Sequence, residues 1–175
     1  MTSFYQLLTS RRSIRRYLPI EVEAQKIKQI TNAALMSPAS KRSNPWEFIV
    51  VQDKDMLKKL AESRPNSSQF LANSPLGIVV IADMSKSDIW IEDASIASII
   101  MQLQAQELNL GTCWIQIFNR IKDDKISAEE YVRQLLNIPT NYAVLNIISI
   151  GYPNEEKKPH DDGQLTLEKV HFEQY

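Results

Sequence analysis

A single α+β domain, with a sheet buried between helices, is the fold class that this 175-residue sequence predicts. Three observations carry the prediction. Helical and strand-like patterns are interleaved along the chain, and four of them read as strands. One of these, Leu76 to Ala82, is a continuous apolar run of the kind that a strand covered on both faces needs. The segment from Ile89 to Leu108 is apolar or small nearly all round, so it reads as an enclosed helix.

The elements follow in order. Ser3 with Gln6 forms a capping box for a short helix carrying Phe4, Leu7 and Leu8. From Glu21 to about Leu35, Ala24, Ile27, Ile30 and Ala34 recur at helical spacing, and Pro38 closes the pattern. Trp46 to Val51 reads as a strand, and Asp53 caps a helix bearing Met56, Leu57, Leu60 and Ala61. After a polar stretch at Ser63 to Gln69, Pro75 introduces the buried strand, and the long helix follows. Thr112 to Phe118 is the next strand, Ser127 with Glu130 caps a helix through Leu136, and Tyr142 to Ile150 is the last. Beyond Gly151 the chain turns polar, with Leu165, Leu167, Val170 and Phe172 scattered among charges and no local core to receive them. No repeat or linker divides the chain, so residues 1–175 read as one domain.

Composition removes several functions. The net charge of -1 offers no global field for nucleic acid or an anionic membrane. No apolar run approaches the roughly 20 residues of a membrane span, and the start MTSFYQLLTSRRS does not resemble a signal peptide. A lone cysteine, Cys113, closes no intrachain disulfide, which fits a reducing, cytoplasmic setting. With only Gly77, Gly111, Gly151 and Gly163, neither a GxGxxG fingerprint nor a GxxxxGK[ST] loop can be written. Both histidines, His160 and His171, lie in the polar tail, so a Ser-His-Asp system and a rigid metal site are poor readings. An enzyme so equipped would borrow its chemistry from a cofactor.

Arg11, Arg12, Arg15 and Arg16 place four guanidiniums within six residues, with Ser13 among them. Guanidinium forks and a hydroxyl together suit a phosphate monoester, although a solvated basic edge is the competing reading. Three further stations follow: SPASKRSNPW at residues 37–46, LGTCWI at 110–115 and IGYP at 150–153 before Lys158-Pro159. In this order and spacing they resemble the nitroreductase-like FMN-dependent flavoprotein family along essentially the whole chain.

That resemblance implies a nitroreductase-like three-layer sandwich with a mixed central sheet, and a homodimer that exchanges its C-terminal tail, about residues 153–175. It places Arg11, Arg12, Ser13 and Arg15 on the FMN phosphate and ribityl chain, with Arg16 pointing away. Lys158 and His160 would close over the same phosphate. Pro38, Ala39 and Ser40 would pack on the flavin of the neighbouring subunit, with Asn44 where Gln is usual. Trp114, Ile115 and Gln116 would line the isoalloxazine ring, using backbone N–H groups. Two departures stand out: Arg42 and Asn44 replace the usual Asn and Gln, and His160 replaces Arg, exchanging a permanent charge for a switchable one. The implied activity is ping-pong reduction of nitroaromatics, quinones or similar small electron-poor acceptors, with NADH or NADPH as donor and no obligatory acid or base. Dehalogenation, flavin fragmentation and a non-enzymatic flavin- or phosphate-binding module are the alternatives. Cys113 reads as a small buried hydrophobe rather than a redox group.

Overall fold

A computed structural model of the chain describes residues 3–175; Met1 and Thr2, the first residues of the start read above, lie outside the described residues. Helix α1 (Phe4–Ser10) opens on the expected capping box, with Ser3 Oγ accepting from the Gln6 N–H at 3.2 Å and Gln6 Oε1 accepting from the Ser3 N–H at 2.8 Å. Next come α2 (Ala24–Leu35), β1 (Trp46–Val51), α3 (Lys54–Ala61), β2 (Leu76–Asp83) and α4 (Trp90–Glu107). The chain is completed by β3 (Gly111–Gln116), α5 (Ala128–Leu136) and β4 (Tyr142–Gly151). Asp53 and Ser127 cap α3 and α5, accepting from the N–H groups of Met56 at 2.7 Å and Glu130 at 3.0 Å.

Two boundaries differ from the sequence expectation by more than one residue. Helix α2 starts three residues late, because Glu23 stays extended as its N-cap residue, at φ -63° and ψ 140°, and Val22 is buried in the core ahead of it. Strand β3 ends at Gln116 rather than Phe118, because the N–H groups of Ile117 and Phe118 both turn onto the Leu145 carbonyl, each at 3.0 Å.

The sheet has the order β1-β2-β4-β3, and every neighbouring pair is antiparallel. The mixed character expected of it reduces, among the described residues, to one parallel bridge from Ser13 to Thr112 at the β3 edge. Apolar side chains alternate to both faces. On one face Leu76, Ile78, Val80 and Ile148 pack with Ile30 of α2 and Ala97 and Met101 of α4. On the other Val79, Ile81, Ile115 and Ile147 pack with Leu57 and Leu60 of α3 and Val132 of α5. These are the three layers.

Within one chain α4 is not enclosed. Ile91, Ile96 and Ile99 remain 38–39% exposed while Ala94, Ala97 and Met101 are fully buried, so one apolar stripe faces out. The tail also divides. Residues 154–162 fold back onto their own chain, with the Asn154 N–H on the Arg16 carbonyl at 2.9 Å, the His160 N–H on the Thr9 carbonyl at 2.8 Å and the Tyr5 hydroxyl on Asp162 at 2.6 Å. Only the part beyond leaves Leu165, Leu167, Val170, Phe172 and Tyr175 exposed.

Candidate functional site

Two glycines decide where the arginine segment lies. Gly111 opens β3, Gly151 closes β4, and the two are paired in register. A Cβ on Gly111 would stand 2.7 Å from Ile14 Cβ, and one on Gly151 would stand 2.7 Å from the Pro75 ring and 2.9 Å from Tyr17. Only a bare backbone lets residues 13–17 lie this close. The segment is then stitched down by the Ile14 N–H to the Thr112 carbonyl and the Leu18 N–H to the Tyr152 carbonyl, both 2.9 Å. Tyr17 anchors it from inside. Its buried hydroxyl donates to the Ile14 carbonyl at 2.6 Å and accepts from the Ser149 hydroxyl at 2.7 Å, and burial keeps that phenol far above its usual range.

Around this seat the cationic groups gather. One Arg12 nitrogen donates to the Lys158 carbonyl, drawing the tail over the segment. The Glu155 carboxylate accepts from the backbone N–H groups of Arg15 at 2.5 Å and Arg16 at 3.2 Å and pairs with Lys157 at 3.0 Å. Those bonds, the one from Arg15 first, hold the Glu155 carboxyl below its ordinary value. Among the described residues, no carboxylate forms an ion pair with the side chains of Arg11, Arg12, Arg15 or Arg16. Arg11, Arg15 and Ser13 lie on the Cys113 side, and the thiol itself reaches the Trp114 carbonyl at 3.8 Å. Burial pushes that thiol upward, so it stays protonated and inert.

Among the described residues, the outer edge of β3 beyond Thr112 is free of sheet partners. Thr112 turns its carbonyl outward to Ile14, so by alternation Trp114 and Gln116 present their backbone groups on the same edge. Gln116 does so visibly, its carbonyl taking Arg64 Nη1 at 3.3 Å. From Thr112 to Gln116 this edge runs about 14 Å at roughly 3.4 Å per residue. The half-buried Trp114 and Gln116 side chains lock together, Nε1 to Oε1 at 2.8 Å, whereas Ile115 points into the core. Arg64 and Arg120 stand at the far end, where burial first and Arg120 second lower the Arg64 guanidinium below its usual range.

Two clefts flank the arginine segment. One of about 320 Å³ is lined by Arg12, Ile14, Gly111, Glu155 and Lys157 among others. The larger, about 860 Å³, takes Arg15 and Arg16 on the other side, with Lys54, Lys58 and Asn154. The expected site residues thus divide. Arg11, Arg12, Ser13, Arg15, Lys158, His160 and the strand residues 114–116 share one region of the chain. Pro38, Ala39, Ser40 and Asn44 do not join them. Their loop leads into β1 at Trp46, which pairs with Ala82 near one end of β2, whereas the arginine segment sits by Leu76 and Gly151 at the other. These ends are about 24 Å apart at roughly 3.4 Å per residue along β2.

Sequence reasoning passed over Glu155, Arg64, Arg120 and Asp93. Glu155 stood in a charge cluster that reads as solvated, and nothing local marks it otherwise. Asp93 did carry a signal: it stands four residues before Ala97 and eight before Met101, on the helical spacing of the apolar side, and it is 2% exposed.

The Nitroreductase family model matches residues 8–65 and 61–152. An FMN-dependent nitroreductase from Clostridium difficile R20291 superposes with a TM-score of 0.95 at 52% identity, covering 97% of this chain and 98% of that one. A relative from Archaeoglobus fulgidus with a provisional NADH dehydrogenase/NAD(P)H nitroreductase name is 34% identical over 100% of both chains. Rattus norvegicus iodotyrosine deiodinase 1 is 24% identical, across 95% of this chain and 68% of its own length.

Proposed function

Because the chain belongs to the nitroreductase family of oxidoreductases, we propose that it binds FMN along the β3 edge and reduces small electron-poor acceptors with NADH or NADPH. The observation that carries this reading is a cluster of guanidiniums without carboxylate partners, seated by Gly111 and Gly151 at the head of a free strand edge. The donor set suits the cofactor. Arg11, Arg12, Ser13 and Arg15, with Lys158 and His160 closing from the tail, meet a phosphate dianion with charge-assisted donors. The outward N–H groups of Trp114 and Gln116 are placed for the acceptor atoms of a planar ring. Bound there, FMN would supply two-electron chemistry between a nicotinamide donor and a nitroaromatic or quinone acceptor, with ping-pong kinetics. The protein's part is to orient, to exclude water from one face and to favour negative charge on the ring with these donors and the nearby Arg15.

The site is completed by a second copy of the chain. The loop Pro38–Asn44 and the arginine segment sit at opposite ends of the sheet, and the apolar stripe of Ile91, Ile96 and Ile99 needs cover. A homodimer supplies both, with residues beyond about 162 crossing to the partner. Light scattering on the FMN-loaded protein should give the mass of two chains; a monomer that still binds FMN tightly would sink the shared site.

The direct test is colour. The purified protein should absorb near 450 nm, or do so after incubation with FMN, and anaerobic reduction by a nicotinamide should be reversed by a nitroaromatic or a quinone. No absorbance after loading removes the cofactor and the function with it. The likeness to iodotyrosine deiodinase supports one competing chemistry, reductive dehalogenation. Halide release from an iodophenol at a rate exceeding nitro or quinone reduction would install it in place of the main reading.

A further inference from the structure

The loop between α2 and β1 is bent into an unusual shape. Lys41 has φ 50° and ψ 20°, and Arg42 and Asn44 have φ 57° and 42°. Asparagine accepts the left-handed region readily; lysine and arginine do so only when something holds them there. The hold comes from α4. Asp93, in its first turn and 2% exposed, accepts from the Ser40 backbone N–H at 2.9 Å on Oδ1 and from the Ser87 hydroxyl at 3.0 Å on Oδ2. The Ser43 hydroxyl reaches the same Oδ2 at 3.5 Å. Ser87 Oγ in turn accepts from the Ile89 N–H at 3.3 Å, at a helix start with no side-chain cap of its own. One buried carboxylate therefore ties the helix N-terminus, the loop before it and the bent loop 38–44 into a single unit. Every partner is a donor, so both carboxylate oxygens are used as acceptors.

We propose that Asp93 is a positioning residue: it clamps the strained loop so that Ser40 and Asn44 keep the shape in which they meet the partner's flavin. This rests on the reading that the loop packs on FMN across the dimer. The clamp acts on the loop backbone through Ser40 and touches neither cofactor nor substrate. It explains why an acid is buried on the side of α4 that also buries Ala94 and Ala97, and why Lys41 and Arg42 can remain left-handed.

The test uses the full-length FMN-loaded protein and two variants, Asp93→Ala and Asp93→Asn. In Asp93→Ala, backbone amide exchange at Ser40 to Asn44 should quicken while β2 and β4 stay protected, and FMN should dissociate roughly 10- to 100-fold more readily. Asp93→Asn keeps an oxygen for the Ser40 N–H and should recover most of both effects. Should Asp93→Ala fail to fold, Ser87→Ala removes one of the carboxylate's donors and should quicken loop exchange more modestly. Unchanged loop exchange in a folded Asp93→Ala overturns the clamp, and quickened exchange with FMN retention intact overturns its role in positioning the loop on the flavin. A wild-type protein that takes up no FMN overturns the reading beneath it, and the exchange measurement still decides whether Asp93 holds the loop.

Discussion

Glu155 shows how much a single side chain can organise. Its carboxylate holds the main chain of Arg15 and Arg16, so the guanidiniums project from a fixed backbone instead of a free strand. Its folded-state value lies below the ordinary 4.5, so the stabilisation is complete above that value and is lost as pH falls through the lowered one. The melting-temperature gap between wild type and Glu155→Gln should thus be full near neutrality and shrink steadily below 4.5. A gap that does not change with pH would place the tether elsewhere. Arg11→Ala should cost FMN about 1.5–3 kcal/mol, roughly 10- to 150-fold in Kd by titration, since one charge-assisted contact is lost.

At the scale of elements, glycine and asparagine have divided their usual work. None of the glycines has positive φ, whereas Asn44, Asn66, Asn109, Asn119 and Asn137 all do. Five of the eight left-handed positions among the described residues fall to asparagine, and Gly77, Gly111 and Gly151 serve close approach. Asn137 ends α5 at φ 53° and ψ 40°, so Asn137→Ala should lower stability by roughly 1–2 kcal/mol in denaturant unfolding, while Asn137→Gly should be nearly neutral. Gly111→Ala forces a methyl against Ile14 Cβ, which cannot swing aside. It should cost about 1–3 kcal/mol of stability, and FMN retention should fall with it because the arginine segment lifts. The helix caps and the strands were legible because each is signalled within a few residues, as at Ser3, Asp53, Ser127 and the run Leu76–Ala82. Strand order was not, since antiparallel pairing of β2 with β4 joins residues about seventy apart and no local pattern encodes it.

For the molecule as a whole, the same distinction explains which parts of the site could be read ahead. The arginines, Ser13 and the β3 residues stand out as residue types, and the three-layer packing brings them together. The loop at Pro38–Asn44 could be read as a motif, but its separation from the arginines by the length of β2 is a fact of three dimensions. So is the exposed side of α4: it reads as apolar or small nearly all round, yet the sheet covers only one face of it. Replacing Ile96 and Ile99 with Glu should shift the light-scattering mass to that of one chain, because charges are poorly tolerated in a buried apolar contact.

The segment that carries the arginines also shields the β3 edge from other chains. Ser13 and Ile14 occupy the first backbone groups of an edge strand whose sequence, Thr112 to Ile117, is apolar and β-prone. A strand of that kind, left open, is a template for unwanted pairing between molecules. Deleting residues 1–18 should therefore do more than remove phosphate donors. The shortened protein should aggregate from dilute solution, with turbidity and thioflavin binding rising together, while the Arg11→Ala, Arg15→Ala double variant stays clear.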